Sequence, residues 1–376
     1  MQEYDFAIVG AGIAGVSAAY HLAPKAKVIL LEREHVAAYH TTGRSAALHS
    51  ETYGSPEIRA ITVASGRFYR QPPTGFADHP LLTPRGALIA GQAAQEAAAQ
   101  RAAAEYKKLV PTVRWLEPAE CLRRQPLLRP EACAGGAVFE EAEDMDVAAI
   151  HGGFLKGARA AGGVLRLNAE VSTLERRDGR WTIRLADGET LAAANLVNAA
   201  GAWADVIAGL AGARPVGLVP KRRTAFTFDA PAGLALADMP MVIDFDETWY
   251  IKPEVGQFLG SPADETPSPP TDAQPDELDI AIAVDRIQAA TTLQIHRIKN
   301  KWAGLRSFVA DKNLVVGYDG GIDRFFWLAG QGGYGIQTAA AAGRLAAALA
   351  LGEPLPGDIA ELGVSEAALS PARLRS

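Results

Sequence analysis

Gly10-Ala11-Gly12-Ile13-Ala14-Gly15 carries the sharpest chemical signal in the chain, with Glu32 twenty residues beyond Gly12. Gly10 permits a tight turn, Gly12 lets backbone approach a pyrophosphate, and Gly15 lets a helix pack close to a strand. A helix opening at Ile13 and Ala14 offers amide N–H groups and a partial positive charge to phosphates. Glu32, followed by Arg33, can accept hydrogen bonds from both hydroxyls of an adenosine ribose. The pattern points to a dinucleotide.

This unit alone does not separate FAD from NAD. A nicotinamide binds reversibly at one site, whereas a tightly held flavin draws contacts from several distant segments, and three more are present. Tyr39-His40-Thr41-Thr42-Gly43-Arg44-Ser45-Ala46-Ala47 supplies small and hydroxyl residues suited to a pyrophosphate and a flavin edge. Leu196 to Trp203 reads as a buried strand ending in small residues, including Ala200 and Gly201. Gly330-Gln331-Gly332-Gly333-Tyr334-Gly335-Ile336-Gln337 opens a long helix whose positive end can stabilise charge developing on a reduced flavin.

Arg223 lies in an alternating run, and Arg306 follows Trp302-Ala303-Gly304 rather than standing in a charge run. A planar guanidinium pairs bidentately with a carboxylate, so either could hold a ligand that bears one. Lys221 and Arg222 read as solvated. No paired carboxylates, Ser/His/Asp order or metal-binding His motif occurs, and the seven His are scattered. Hydride transfer to a flavin needs orientation and electrostatics rather than a nucleophile or a metal. His151 reads as a packed histidine.

The elements that must hold these residues follow from periodicity. Asp5 to Val9, a helix to about Ala23 and Lys27 to Glu32 form a βαβ unit. A second α/β block runs from Asp146, with a helix to about Ala161 and strands at Val164 to Leu167, Trp181 to Leu185 and Leu196 to Ala199. Strands at Leu314 to Val316 and Phe325 to Ala329 precede the last helix, which ends near Leu351. Residues 91 to 108 read as an Ala-rich helix, residues 216 to 260 as antiparallel strands, and Ser261 to Gln274, rich in Pro and Ser, as a solvated surface loop or a lid.

A chain of 376 residues favours two interleaved domains, and its 37 Gly are a surplus that a dinucleotide site partly explains. The net charge of −6 argues against nucleic acid. Cys121 and Cys133 form no C-x-x-C, which suggests neither a disulfide framework nor zinc and fits a reducing cytoplasm. No signal peptide or spanning segment is expected.

At these residues the chain resembles the glycine oxidase and D-amino-acid oxidase family of FAD enzymes, and within it the bacterial D-arginine dehydrogenases. The resemblance covers Thr42 to Ala47, Val197 to Trp203, Pro220 to Arg223, Trp302 to Asp311 and Gln331 to Thr338. It implies a Rossmann-like FAD-binding domain of the glutathione-reductase type, assembled from residues 1–80, 139–214 and 305–376. An antiparallel α+β substrate domain would comprise residues 81–138 and 215–304.

The resemblance further implies that Tyr53, Arg223, Tyr250 and Arg306 hold a substrate α-carboxylate, in a pocket completed by Leu48, His49, Ser50, Ala87, Gly333 and Gln337. Thr41, Thr42, Arg44, Ser45, Ala46, Ala47, Val171 and Trp203 would join the Gly-rich turn around noncovalent FAD. So would Gly332, Gly333, Tyr334, Gly335, Ile336, Gln337 and Thr338. The arginine enzymes carry a glutamate where this chain has Ala87 and a histidine where it has Leu48. An unpaired guanidinium would be costly there, so a pocket for neutral or apolar side chains is expected. Glu51 or His49 could restore polarity.

The expected reaction is FAD-dependent oxidative deamination of D-amino acids, in which hydride passes from Cα to flavin N5 and the imine hydrolyses to a 2-oxo acid and ammonia. Oxidation of a secondary amine such as sarcosine or D-proline is the nearest alternative, and a non-catalytic flavoprotein subunit the next. The expected acceptor is a quinone or O₂, and the expected location is the cytoplasm or the periphery of the inner membrane.

Overall fold

A computed structural model describes residues 2–375. Gln2–Val9 pairs in parallel with Val28–Leu31 on one side and Thr190–Asn198 on the other. Val164–Arg166 extends this sheet beyond Val28–Leu31, and Phe325–Ala329 extends it beyond Thr190–Asn198, both in parallel. Every side chain of Val28–Leu31 and of Phe325–Ala329 is buried, as expected of parallel strands covered on both faces.

The sheet forks at Thr190–Asn198. The end of that strand, Leu196 to Asn198, meets Phe325–Ala329, while its earlier residues meet Arg180–Leu185 and, beyond it, Val171–Arg177 in an antiparallel meander. Ile13–Leu22 and Gly335–Ala350 pack into the same core, the latter burying a run of alanines that permits close helix approach. No helix of the described residues is long and apolar enough to cross a membrane.

The second sheet has nine strands built around Val219–Asp229, whose partners Asn300–Phe308 and Gln257–Ser261 are antiparallel. Tyr250–Glu254 and Met241–Asp244 continue it, and Met241–Asp244 then runs parallel to Ala87–Gly91 across a long crossover. Gly135–Phe139 and Arg114–Leu116 complete the order. Asn300–Phe308 pairs throughout with Val219–Asp229 and thus spans the expected boundary at residues 304/305. A small third sheet of Leu48–His49, Glu143–Met145 and Leu82–Pro84 stands between the two large ones in sequence.

Two expectations need correction. The Ala-rich helix is Glu96–Leu109, because Gly91 still belongs to the strand Ala87–Gly91. Ser261 to Gln274 keeps an exposed surface but is fastened rather than loose: Thr266–Pro267 forms an edge strand on Lys221 and Arg222, and Ser268 N donates to Pro220 O. Arg44 clasps its far end, donating to Asp272 Oδ1 at 2.6 Å and to the carbonyls of Ala273 and Ala303. A Pro-rich strand lacks donors for a sheet centre but can close an edge.

Candidate functional site

The Gly-rich turn sits where Gln2–Val9 hands over to Ile13–Leu22. Gly10 adopts φ +103°, and a Cβ there would stand 2.5 Å from Ala199 O, so only glycine fits. Gly15 approaches more closely: its Cβ would lie 1.9 Å from Gly10 O. The Glu32 carboxylate accepts from Ala11 N at 2.8 Å and Glu34 N at 3.0 Å, and Thr42 Oγ1 accepts from Ile13 N at 3.0 Å. His151 Nε2 lies 2.9 Å from Ala11 O; a carbonyl only accepts, so Nε2 carries the proton. Burial pushes the His151 pKa down, which keeps the ring neutral, and its role is to brace the turn.

Two adjoining cavities open from this turn, of about 270 and 170 Å³, and share Gly12, Thr41, Thr42, Ala199 and Gly201 in their walls. The smaller holds Gly10, Glu32, Arg33, Val171, Ala200 and Trp203. Arg33 lies 5.1 Å over the Trp203 ring, and His40 packs on the same indole while pairing with Glu34. The larger holds Ile13, Ala14, Arg44, Ser45, Ala46 and Ala47, with Gly332, Gly333, Gly335, Ile336 and Gln337 from the last helix and its opening loop. An elongated space with a carboxylate at one end, two helix N-termini beside it and small residues along it fits a dinucleotide.

The larger cavity also gathers Tyr53, Arg223, Tyr250 and Arg306. Arg223 and Arg306 come from the paired strands Val219–Asp229 and Asn300–Phe308, and Tyr250 opens a third strand of that sheet. Arg223 is buried, with Nη2 donating to Glu265 Oε1 at 3.2 Å and Nε without a partner. Half-buried Arg306 donates from Nη1 to the Tyr53 hydroxyl. Burial, then the like charge of Arg306, pushes Arg223 down. Burial works against Arg306 as well, but the nearby Tyr53 and Tyr250 phenols and the Glu265 and Glu247 carboxylates outweigh it and raise its pKa. Both guanidiniums remain cationic at any working pH.

Leu48, Ser50 and Ala87 line this cavity, but His49 does not. His49 follows Leu48 in a two-residue strand, so its side chain points to the opposite face. It is fully buried with Nδ1 3.8 Å from Glu143 Oε2, and Glu51 is engaged by Arg70. Gly15, Tyr334 and Thr338 also stand behind the walls rather than in them. Tyr334 packs edge-on to Tyr53 and Phe308, and the Thr338 hydroxyl donates to Tyr334 O. Arg222 is paired rather than solvated, held by Asp264 and Asp279, and Lys221 binds Glu265.

Sequence reading missed Ile89, Tyr106, Phe139, Met241, Ile243 and Glu247, which also line the cavity. Ile89 was accessible from the two-residue strand period, since it shares a face with Ala87. Phe139 and Met241 lie opposite Ala87 on its two neighbouring strands, a pairing that no local pattern gives.

The model of the family described as FAD dependent oxidoreductase (DAO) matches residues 5–349. FAD-dependent oxidoreductase domain-containing protein 1 of Bos taurus is 25% identical over 93% of this chain and 82% of its own length. Mitochondrial dimethylglycine dehydrogenase of Mus musculus is 25% identical over 94% of this chain, which spans 43% of that protein. Among solved structures, glycine oxidase from Geobacillus kaustophilus superposes with TM-score 0.81 at 21% identity, covering 97% of this chain and 99% of that one. Iminodiacetate oxidase from Chelativorans sp. BNC1 gives 0.81 at 23%, covering 97% and 98%. FAD-bound L-alpha-glycerophosphate oxidase from Mycoplasma pneumoniae gives 0.82 at 20%, covering 94% and 96%. At these identities the superpositions establish the fold alone, and the family match over residues 5–349 places the chain in the DAO family of FAD-dependent oxidoreductases.

Proposed function

We propose that the protein oxidises amino acids bearing one α-carboxylate, with D-amino acids of neutral or apolar side chain as its substrates. The observation that carries this reading is the convergence of Arg223, Arg306, Tyr53 and Tyr250 on the cavity that Gly332 and Gly333 also line. Arg223 shares Glu265 with Lys221, and Arg306 donates to the Tyr53 hydroxyl, so the guanidinium pair keeps positive charge that a substrate carboxylate can neutralise. Bound FAD supplies the two-electron acceptor.

The chain's own residues bind and orient. The guanidinium pair fixes the carboxylate, and the Tyr53 and Tyr250 hydroxyls restrict its rotation, so the Cα–H bond has one permitted direction. Leu48, Ala87, Ile89, Phe139 and Met241 form an apolar wall, where each buried methylene is worth about 0.8 kcal/mol. In this reading FAD is held noncovalently, with Glu32 at the ribose and the amides of Gly12 and Ala14 at the phosphates, while Thr42 holds the Ile13 amide. The strands bearing the two arginines then belong to a substrate unit laid over a discontinuous cofactor unit. The product imine hydrolyses in water to a 2-oxo acid and ammonia.

A second reading, oxidation of a secondary amine such as sarcosine or D-proline, uses the same clamp. Similarity to iminodiacetate oxidase and dimethylglycine dehydrogenase favours it. Anaerobic bleaching of the flavin absorbance by a panel of D- and L-amino acids, sarcosine and D-proline tests both. Bleaching by apolar D-amino acids supports the first reading, bleaching by N-alkyl substrates alone supports the second, and no bleaching refutes both. Reoxidation of the bleached enzyme by air or by a quinone identifies the acceptor.

A further inference from the structure

The cavity wall carries one ionised side chain that neither the carboxylate clamp nor the dinucleotide chemistry employs. Glu247 lies in the loop joining Met241–Asp244 to Tyr250–Glu254, three residues before Tyr250, and both line the larger cavity. It is exposed, which places it at the mouth. The loop is braced: Glu247 N donates to Asp244 O at 2.8 Å, and Asp244 Oδ2 accepts from Thr248 Oγ1 at 2.7 Å and Thr248 N at 3.2 Å. Glu247 nonetheless adopts φ +52°, a left-handed backbone that favours glycine or asparagine. Backbone geometry therefore does not explain a glutamate here, and strain of this kind is concentrated at functional sites.

Glu247 lines the same cavity as the apolar wall that would receive a substrate side chain. Ala87 lies opposite Phe139 and Met241, and Phe139 packs at 5.4 Å on Tyr106. Burial first, and then the charge of Glu247, holds the Tyr106 phenol above its ordinary value, so the two are electrostatic neighbours. Glu247 supports the charge of Arg306 across the cavity, and Arg59 acts on the same Tyr106 phenol, but among the described residues no cation forms an ion pair with Glu247, and Arg70 is taken by Glu51 and Glu143.

We infer that Glu247 sets the charge the cavity accepts beyond the α-carboxylate: side chains ending in a neutral or cationic group are admitted, and those ending in a second carboxylate are rejected by like-charge repulsion. The inference rests on the amino-acid reading proposed above and adds a selection rule to it. Glu247 thus supplies the negative charge that Ala87 does not.

The test compares isosteric pairs on the FAD-loaded enzyme, before and after Glu247→Gln. D-Glutamine and D-glutamate differ only in terminal charge, and their ratio of kcat/KM within one protein cancels any general loss of activity. The ratio should strongly favour D-glutamine in the wild type and fall about tenfold in E247Q. Glutaramate and glutarate, which cannot be oxidised, supply the same comparison as dissociation constants read from the flavin spectrum. The preference for glutaramate should shrink about tenfold. If neither D-glutamine nor D-leucine reduces the wild-type flavin, the amino-acid reading fails, and the non-reacting pair still measures charge selection. Ratios that stay within twofold of wild type in both comparisons would overturn the inference.

Discussion

Arg306 Nη1 donates to the Tyr53 hydroxyl at 3.3 Å, joining residues 253 positions apart in the wall of the larger cavity that Arg223 and Tyr250 also line. The Tyr53 ring is fixed independently, edge-on to Tyr334 with centroids 5.0 Å apart. Packing thus sets the ring and the hydroxyl sets the guanidinium. Tyr53→Phe keeps the first and removes the second. A hydrogen bond to a charged group is worth about 1.5–3 kcal/mol, so steady-state kinetics on the most active amino acid should show KM raised at least tenfold, with a smaller change in kcat.

Gly15→Ala tests the cofactor turn. The added Cβ would meet Gly10 O at 1.9 Å, and neither backbone can yield without moving the helix Ile13–Leu22 off the strand. The cost is about 1–3 kcal/mol or more. The variant should purify with little flavin and with a melting temperature several degrees lower. Wild-type flavin content in this variant would mean that the turn tolerates more movement than its geometry allows.

Acid should begin to weaken the fold above the ordinary carboxylate range. Burial lowers the pKa of His21 to about 4 and also lowers those of His49 and His151. The unfolded chain takes up these protons near pH 6.5, whereas the folded protein resists. Stability is therefore complete above pH 6.5 and falls as pH drops from 6.5 toward 4, by roughly 1–3 kcal/mol for His21 alone. Melting temperatures measured from pH 8 to pH 4 should decline through this window, and less steeply in His21→Gln.

Arg44 should hold the strap of residues 261–274 closed. Its guanidinium joins Asp272 to the carbonyls of Ala273 and Ala303, and Ala263 of the same segment lines the cavity. Arg44→Ala should make the strap the first site cut in limited proteolysis, while Asp272→Ala, which removes only an exposed partner, should change cleavage little. Equal cleavage of wild type and Arg44→Ala would show that the edge pairing of Thr266–Pro267 suffices.

The βαβ unit and the last helix were legible because their signals are local: glycine spacing, a buried apolar run, a helix opening at a loop. Arg223 was legible because a charge in an alternating strand is out of place. Other features depend on pairings distant in sequence. Arg222 reads as solvated until Asp264 and Asp279 are brought to it, and the strap reads as loop until its edge partner is known. His49 could have been set aside from sequence, since adjacent strand residues cannot both face one cavity. Glu247 could not, because its loop carries no periodic pattern and its backbone is atypical for glutamate.

The central claim, that Arg223 and Arg306 hold an α-carboxylate over the reacting bond, is tested most directly by removing that carboxylate from the substrate. Anaerobic flavin reduction by D-leucine should be compared with reduction by 3-methylbutylamine, its decarboxylated twin, in stopped flow. The clamp predicts a rate for the amine at least a thousandfold lower at equal concentration, with a much smaller difference in Arg306→Met, which slows only the amino acid. Comparable reduction of the wild-type flavin by both compounds would contradict the account.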